Sequence, residues 1–234
     1  MVQPILLKIT GEAFLDPVTK SPTVAIIMDL VEQIKRLSAT HTFGIVVGGG
    51  NFFRGDIEGK VLDLSPSYAH YIGMLATMMN GLVIKNSFEK QSLTSTMLCA
   101  LPCSEVGATL SQQAIADALQ NGTIIIFTGG TGNPFFSTDT TAILRGLQMR
   151  AVEVWKGTKV NGIYSADPMQ DTTAELIPQL TYKEAIDKRL GIMDTTAFAL
   201  AEREKMPIRV FNIFEKDALI QAAHNPNFGS RIRL

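Results

Sequence analysis

The chain has 234 residues, of which 46% are hydrophobic and 18% are charged, and its formal net charge is −1. These values allow one large α/β domain with a well-filled core. A nearly neutral chain without a run of basic residues argues against a nucleic-acid groove or a surface for anionic membranes. It has neither an apolar run of membrane-spanning length nor the basic start of a secretory signal, so we expect a cytoplasmic protein.

The first predicted strand, residues 5–9, carries a cation near its carboxyl end. Lys8 interrupts an apolar run, and Thr10 and Gly11 follow the strand. A lysine at a strand end can direct its charge at a phosphate. Considered alone, a lysine at the sheet edge whose amine reaches solvent is the better explanation.

A helix is predicted between the first two strands. Ser21 and Pro22 give it an N-cap and a first residue. The apolar residues that follow at helical spacing are Val24, Ile27, Val31, Ile34 and Leu37.

The second predicted strand, residues 44–47, ends in three glycines, Gly48, Gly49 and Gly50. Bare glycines let backbone N–H groups approach a phosphate, and a tight turn alone rarely needs three of them. The segment is neither a Walker loop nor a dinucleotide-binding fingerprint. Arg54 lies four residues further on, where it either pairs with a phosphate or caps the next element.

The middle of the chain predicts a helix over residues 68–84, a strand over residues 93–99 and a helix over residues 111–119. The first helix is rich in methionine, which favours core or subunit packing over ligand contact. Cys99 and Cys103 have no partner pair at zinc spacing, so we expect reduced thiols.

A second glycine-rich loop follows the apolar strand predicted over residues 123–127. Its residues are Gly129, Gly130, Thr131, Gly132 and Asn133, and a helix is predicted over residues 138–149. Thr138 and the first amides of that helix can bind an anion or the edge of a base. Asp139 either caps the helix or holds lysines at a site of phosphoryl transfer.

The last third of the chain carries a third group of polar residues after the strand predicted over residues 152–155. Lys156, Lys159, Tyr164 and Asp167 suit an adenine and ribose pocket, although the stretch also fits an ordinary loop. Further predicted elements are a helix over 194–205, a strand over 208–213 and a helix over 217–223.

Strands that alternate with helices predict a mainly parallel sheet with helices on both faces. Ligands bind at the carboxyl ends of the strands in such a sheet, so all the loops above lie at one edge. Two glycine-rich loops indicate two phosphate groups, a donor and an acceptor. Phosphoryl transfer needs no covalent nucleophile and depends on positioning and charge.

Seven segments along nearly the whole chain resemble bacterial UMP kinases, which belong to the amino acid kinase superfamily. They are ILLKITGEAF, GIVVGGGNFFRG, IGMLATMMNGL, TGNPFFSTD, KVNGIYSADP, LTYKEAI and MPIRVFN. The resemblance implies a three-layer α/β/α fold in one domain, residues 1–234, with a UMP-binding lobe mainly N-terminal and an ATP-binding lobe mainly C-terminal. It also implies transfer of the γ-phosphate of ATP to UMP with Mg²⁺, in pyrimidine biosynthesis, by a homohexamer inhibited by UTP.

The resemblance assigns roles residue by residue. Lys8 would stabilise the phosphoryl group in transfer and Asp139 would organise the catalytic lysines, while no residue is implied to bind a metal. The residues implied to bind ATP are Lys8, Ile9, Thr10, Gly11, Gly50, Arg54, Thr158, Tyr164 and Asp167. Those implied to bind UMP are Gly49, His70, Thr131, Gly132, Asn133, Pro134, Phe135, Phe136, Ser137 and Thr138, of which Thr138 would read the uracil. Lys156 and Lys159 are further candidates for phosphate contacts.

Two positions depart from the pattern of that family. His70 stands where these kinases usually have an aspartate that binds the UMP ribose, and an imidazole cannot make the bidentate contact of a carboxylate. The segment LDPVTKSPT lacks the Gly-Phe-Gly pattern that many relatives carry near a GTP effector site, so activation by GTP is not expected.

Three other kinds of protein fit the sequence less well. A kinase for a carboxylate or carbamate on the same fold is disfavoured by TGNPFFSTD, which resembles a nucleotide-acceptor loop. A non-catalytic nucleotide-binding relative, similar to molybdenum storage proteins, is disfavoured because Lys8 and Asp139 are both present. A Rossmann dehydrogenase lacks its fingerprint here.

Overall fold

The computed structural model describes residues 2–16, 18–55, 57–188 and 190–233. Strands with β-branched and apolar residues form a nine-stranded sheet and a separate two-stranded hairpin. The strands are β1 Gln3–Ile9, β2 His41–Val47, β3 Ser95–Cys99, β4 Ala108–Thr109, β5 Ile124–Thr128, β6 Glu153–Thr158, β7 Ile163–Tyr164, β8 Leu176–Ile177, β9 Gln179–Thr181, β10 Ile208–Asn212 and β11 Ser230–Arg233.

Helices follow most of the strands of the main sheet. They are α1 Ala25–Leu37, α2 Glu58–Val61, α3 Pro66–Lys90, α4 Gln112–Gln120, α5 Thr138–Gln148, α6 Tyr182–Asp187, α7 Thr195–Arg203 and α8 Ala218–His224, and a short 3-10 helix covers Gly11–Phe14. Several begin with a side-chain cap that the sequence encodes, such as Ser111 of α4, whose hydroxyl accepts a hydrogen bond from Ala114 N.

The main sheet has the strand order β4-β3-β5-β2-β1-β6-β10-β11-β9. Its described pairs are parallel except for β10 and β11. β1 lies between β2 and β6, so the chain leaves β1 in one direction and later returns on its other side. The crevice at the carboxyl end of β1 is therefore the switch point where a ligand is expected.

The hydrophobic core has two halves, one on each face of the sheet. Leu7 of β1 packs with residues of α1, α3 and α8, whereas Leu6 packs with residues of α4, α5, α6 and α7. Neighbouring side chains of a strand point to opposite faces, so a continuous apolar run serves both halves. The predicted three-layer α/β/α arrangement with a mainly parallel sheet is confirmed.

The predicted start of the first helix is wrong. α1 begins at Ala25, and Pro22 instead forms an antiparallel bridge with Leu15. Asp16 accepts hydrogen bonds from the backbone of Val18 and Thr19, which turns the chain before the helix starts. The Ser-Pro pair thus ends a turn, because the tertiary contact with Leu15 outweighs the local helix signal.

Candidate active site

Two lysines from neighbouring strands converge on one aspartate at the switch point. Lys8 of β1 and Lys156 of β6 lie opposite each other in the sheet. Lys8 Nζ is 3.2 Å from Asp139 Oδ1, and Lys156 Nζ is 2.5 Å from Asp139 Oδ2. Lys156 also donates a hydrogen bond to Ile192 O. The carboxylate offsets the repulsion between the lysines and leaves one net positive charge in a largely water-shielded place.

Burial and mutual attraction set the pKa values of this cluster in opposite ways. Burial raises the pKa of Asp139, but Lys8 and Lys156 outweigh it, and the pKa falls below its ordinary value of 3.8. Burial lowers the pKa of Lys156 below its ordinary value of 10.5, although Asp139 partly compensates. Asp139 is therefore fixed as a carboxylate between two ammonium groups.

The N-terminus of α5 places Asp139 where both lysines reach it. Ser137 is the N-cap, and its hydroxyl oxygen accepts hydrogen bonds from Asp139 N at 3.0 Å and Thr140 N at 3.1 Å. The helix is capped by Ser137, and not by Asp139 as the sequence allows. The carboxylate of Asp139 is consequently available to the lysines.

Asp194 lies beside this cluster, at a place that the sequence did not reveal. It caps α7 by accepting a hydrogen bond from Ala197 N, and it also accepts hydrogen bonds from the hydroxyls of Ser137 and Thr140. One carboxylate thus joins the first turns of α5 and α7. The sequence marked Asp194 only as the start of a helix, because its partners on α5 lie more than fifty positions away.

A first cavity of about 330 Å³ lies on the α3 side of the cluster. The residues predicted to bind the acceptor that line it are Gly49, His70, Phe136, Ser137 and Thr138. Thr131, Gly132, Asn133 and Pro134 are not among its lining residues, and Thr131 instead hydrogen-bonds within its own loop. Phe135 contacts the His70 ring at a centroid distance of 5.1 Å. The loop therefore reaches the cavity at its two ends, through Gly130 and through the residues from Phe136 onward.

A second cavity of about 560 Å³ lies beside β6. Thr158, Tyr164 and Asp167, which were predicted to bind the donor, line it together with Lys156. The segment after α6 forms another wall, to which Lys188, Leu190, Gly191 and Ile192 contribute. Lys156 thus belongs both to this cavity and to the charged cluster, while Thr138, next to Asp139, lines the first cavity.

The amino acid kinase family matches residues 3–212 of the chain. The chain belongs to the amino acid kinase family.

Similar proteins within this family indicate which of its members the chain resembles. Uridylate kinase of Salinibacter ruber is 36% identical over 98% of this chain and 89% of its own length. Uridylate kinase of Escherichia coli O1:K1 / APEC is 38% identical over 97% of this chain and 95% of its own length. UMP kinase from Ureaplasma parvum has a crystal structure with a TM-score of 0.94 and 30% identity, covering all of both chains. Within the amino acid kinase family, these matches place the chain among the uridylate kinases.

The glycine loop after β2 has two separate reasons for its composition in this kinase. A Cβ at Gly49 would lie 2.8 Å from Gly73 O and from Ala76 Cβ, so glycine there lets α3 pack closely. A Cβ at Gly50 would meet only the Arg54 side chain, whose nearest atoms would lie 3.7 Å away. Packing therefore requires Gly49, whereas the backbone at Gly50 lies open to a ligand.

Buried polar side chains hold both glycine loops of the kinase in place. Asn80 of α3 donates a hydrogen bond to Gly48 O at 2.7 Å. Arg145 of α5 donates to Gly130 O at 2.9 Å, and burial lowers the pKa of Arg145 to about 10. Sequence reasoning missed both residues, although an asparagine inside an apolar helix is a usable signal because buried amides need partners.

The remaining residues predicted to bind the donor lie around the exit of β1. The Ile9 side chain is buried in the core, so only its backbone can face a ligand. The Thr10 hydroxyl accepts a hydrogen bond from Glu12 N. Gly11 packs closely against the loop after β2. A Cβ at this position would lie 2.7 Å from Asn51 Oδ1, so only glycine fits.

Arg54 and Lys159 both bind Glu12, another residue that sequence reasoning missed. Arg54 Nη2 lies 3.0 Å from Glu12 Oε1, and Lys159 Nζ forms an ion pair with Glu12 Oε2. Arg54 Nε also donates to Gly50 O at 3.0 Å. The two cations come from the loops after β2 and β6, so Glu12 bridges the mouth of the cleft.

Two negative findings concern the described residues only. Among them, no group of three or more His, Cys, Asp or Glu side chains is arranged to hold a metal ion. None of the described helices combines the length and the apolar composition that crossing a membrane requires.

Proposed function

We propose that this protein is a UMP kinase, which transfers the γ-phosphate of ATP to UMP and yields UDP and ADP. The observation that carries the proposal is the Lys8–Asp139–Lys156 cluster next to two cavities, one beside each neighbour of β1. The names of the similar proteins give the acceptor: uridylate kinase and UMP kinase. The first cavity is assigned to UMP and the second to ATP.

The chemistry of the site is charge stabilisation. Phosphoryl transfer spreads negative charge over the transferred group and its leaving oxygen, and it needs no covalent intermediate. Lys8 and Lys156 present two ammonium groups to that charge, and Asp139 keeps them apart and oriented. Because these groups are fixed before the substrates bind, they need no reorganisation during transfer.

Mg²⁺ is proposed as the metal that accompanies ATP. Both oxygens of Asp139 are engaged by lysines and both oxygens of Glu12 by cations, so the donor set suits a metal brought in on the phosphates. When bound, the ion neutralises phosphate charge. Lys8 and Lys156 complement it on the protein side.

The broader biology follows from the same proposal. Residues 1–234 form a single catalytic domain, with the UMP pocket built mainly by the first part of the chain and the ATP pocket by the last part. The enzyme acts in pyrimidine nucleotide biosynthesis in the cytoplasm, with UTP as its feedback inhibitor. These assignments extend the resemblance of the sequence motifs.

A homo-oligomer is proposed from α3, and the resemblance of the sequence motifs implies that it is a hexamer. Five large apolar side chains on this helix are between 42% and 69% exposed: Tyr68, Tyr71, Leu75, Met79 and Leu82. Their spacing of three and four residues puts them on one face. An apolar stripe of this kind is typical of a surface that a second copy covers.

A coupled assay of ADP release tests the function. The purified chain is given Mg²⁺ and ATP with UMP, CMP, dUMP or a small carboxylate such as acetate or glutamate. We expect turnover that is fastest with UMP. The dUMP reaction shows whether His70 supports discrimination at the ribose.

The other outcomes separate the alternatives. Turnover with a carboxylate and none with UMP contradicts the proposal and favours an amino-acid-type acceptor. Tight ATP binding without turnover on any acceptor favours a storage or regulatory protein.

A further inference from the structure

The charged groups at the switch point form two clusters of similar design. In each, one carboxylate binds two cations, and the cations come from different strand exits. Asp139 binds Lys8 and Lys156 in the buried cluster. Glu12 binds Arg54 and Lys159 at the mouth of the cleft. The buried cluster serves the transfer step, which leaves the outer one to be explained.

The outer cluster is far more accessible than the inner one. The Arg54 side chain is 47% exposed and the Lys159 side chain 55%, against 13% for Lys8 and 9% for Lys156. Ion pairs that water reaches contribute little to stability and exchange partners easily. The ion pairs of Glu12 can therefore open at little cost, whereas those of Asp139 persist.

The anchoring of Arg54 permits such an exchange. Its Nε is held by Gly50 O, while its Nη2 is held by Glu12. When Nη2 leaves Glu12, the hydrogen bond at Nε keeps the guanidinium beside the open backbone of Gly50. A phosphate placed there meets a donor fork that is already positioned.

We propose that Glu12 is a counter-ion that holds Arg54 and Lys159 while the donor site is empty and yields them to the triphosphate of the incoming nucleotide. This inference rests on the proposed function, because it assigns the phosphate chain of ATP to the exit of β1. Glu12 acts through its two cations and is a positioning residue. Each ion pair of Glu12 must open before a phosphate contact forms, so opening these pairs lowers the net binding free energy of the donor nucleotide.

The binding of inorganic tripolyphosphate tests the proposal. Glu12→Gln removes the competing charge but keeps the size of the side chain. Titration calorimetry should show tripolyphosphate binding about fivefold tighter than in the unaltered chain, the combined scale of two weak, exposed ion pairs. The KM for ATP should fall in parallel without a rise in kcat. A purely structural role for Glu12 predicts the opposite direction, a loss of affinity.

Two further variants separate competition from a general change of charge. Glu204→Gln removes a carboxylate that pairs with Arg203 at the end of α7, before the start of β10 and therefore away from the carboxyl ends of the strands. This variant should leave tripolyphosphate binding unchanged. In a Lys159→Met background, Glu12→Gln should tighten binding by less than about twofold, because one of the two competed cations is gone. If the gain is the same in both backgrounds, the counter-ion role is wrong.

Other results of these experiments also test the counter-ion role of Glu12. If Glu12→Gln does not fold, Glu12→Asp replaces it: its shorter side chain cannot hold both cations, and binding should tighten by about twofold. Unchanged or weaker tripolyphosphate binding overturns the proposal. Absence of UMP turnover in the unaltered chain contradicts the proposed function instead, and the tripolyphosphate comparison still judges Glu12.

Discussion

Lys8 is the side chain whose charge the proposed reaction uses most directly. Lys8→Met keeps the length of the side chain but removes one of two ammonium groups at the site. We expect kcat to fall at least about a hundredfold, which is typical for the loss of one preorganised charge. Asp139 keeps its ion pair with Lys156, so the circular dichroism spectrum should be unchanged.

Lys35→Met on α1 is the matched control for Lys8→Met, because Lys35 is exposed in the last turn of that helix. Its kcat should equal that of the unaltered chain. If Lys8→Met retains full activity, Lys8 has no part in the transfer step.

Lys156 should give the enzyme an alkaline limit. Burial lowers its pKa below 10.5, and the proposed role requires the charged form, so kcat/KM should fall as the pH rises through that lowered pKa. Lys156→Arg should move the limit to higher pH, because a guanidinium stays charged. If the alkaline limit does not move in Lys156→Arg, a group other than Lys156 is responsible for it.

This alkaline loss should not reflect unfolding. The pKa of Lys156 is lower in the folded chain than in the unfolded one, so between the two values the unfolded chain binds more protons. The free energy of unfolding therefore rises with pH in that window. Urea unfolding at each pH checks that the folded state persists where activity is lost.

Single residues differ in how far their sequence positions predicted them. Lys8 carries a signal, since a charge in an apolar strand is unusual, whereas an aspartate at a helix start, such as Asp139, is also a common cap. Glu12 and Asp194 carry no such signal, because their partners come from distant parts of the chain. Thr131 to Pro134 match a motif, yet the loop lines the cavity with Gly130 before them and with Phe136, Ser137 and Thr138 after them.

Among the elements, α5 and α7 are joined through Asp194. Asp194→Ala removes the cap of α7 and the acceptor of the Ser137 and Thr140 hydroxyls. We expect the free energy of unfolding to fall by about 2 kcal/mol, from one lost cap and the unpaired hydroxyl of buried Thr140, since water can reach the exposed Ser137 hydroxyl. The KM for UMP should rise, because Ser137 lines the first cavity. Urea titration and steady-state kinetics measure both effects.

Ser111→Ala separates the loss of a cap from damage to the site. It removes the cap of α4 and should cost about 1 kcal/mol without changing the KM for UMP. Asp194→Asn keeps one acceptor oxygen and should recover part of the lost stability. An unchanged KM for UMP in Asp194→Ala would falsify the link from α7 to the acceptor cavity.

Elements with strong local patterns were predictable, and elements defined by distant pairing were not. Ser111 and the Asn121-Gly122 pair mark both ends of α4 in the sequence, and the structure agrees. β9 and β11 have three and four residues, too few to show a period of two, and their pairing decides their existence. α1 starts late because the bridge between Leu15 and Pro22 is a tertiary contact.

At the scale of the whole molecule, the α3 stripe predicts association of copies. Leu75 is 52% exposed at the middle of the stripe. Leu75→Glu puts a charge there, and burial of a charge without a partner is costly. Light scattering after size exclusion should show a smaller particle than the unaltered chain gives. Val18→Glu, at a side chain that is 85% exposed and outside α3, should leave the mass unchanged. A single small particle in all three samples contradicts the proposed oligomer.

The position of β11 between β10 and β9 has a consequence for biosynthesis. β9 is at the edge of the sheet and pairs there with β11, so it joins the sheet only when residues 230–233 have been made. α6 and the wall of the second cavity follow directly after β9. During translation, a nascent chain that ends near residue 212 can already pair the strands around β1, yet its donor pocket lacks an anchored wall. Binding of the donor is therefore expected to wait until residues 230–233 have left the ribosome.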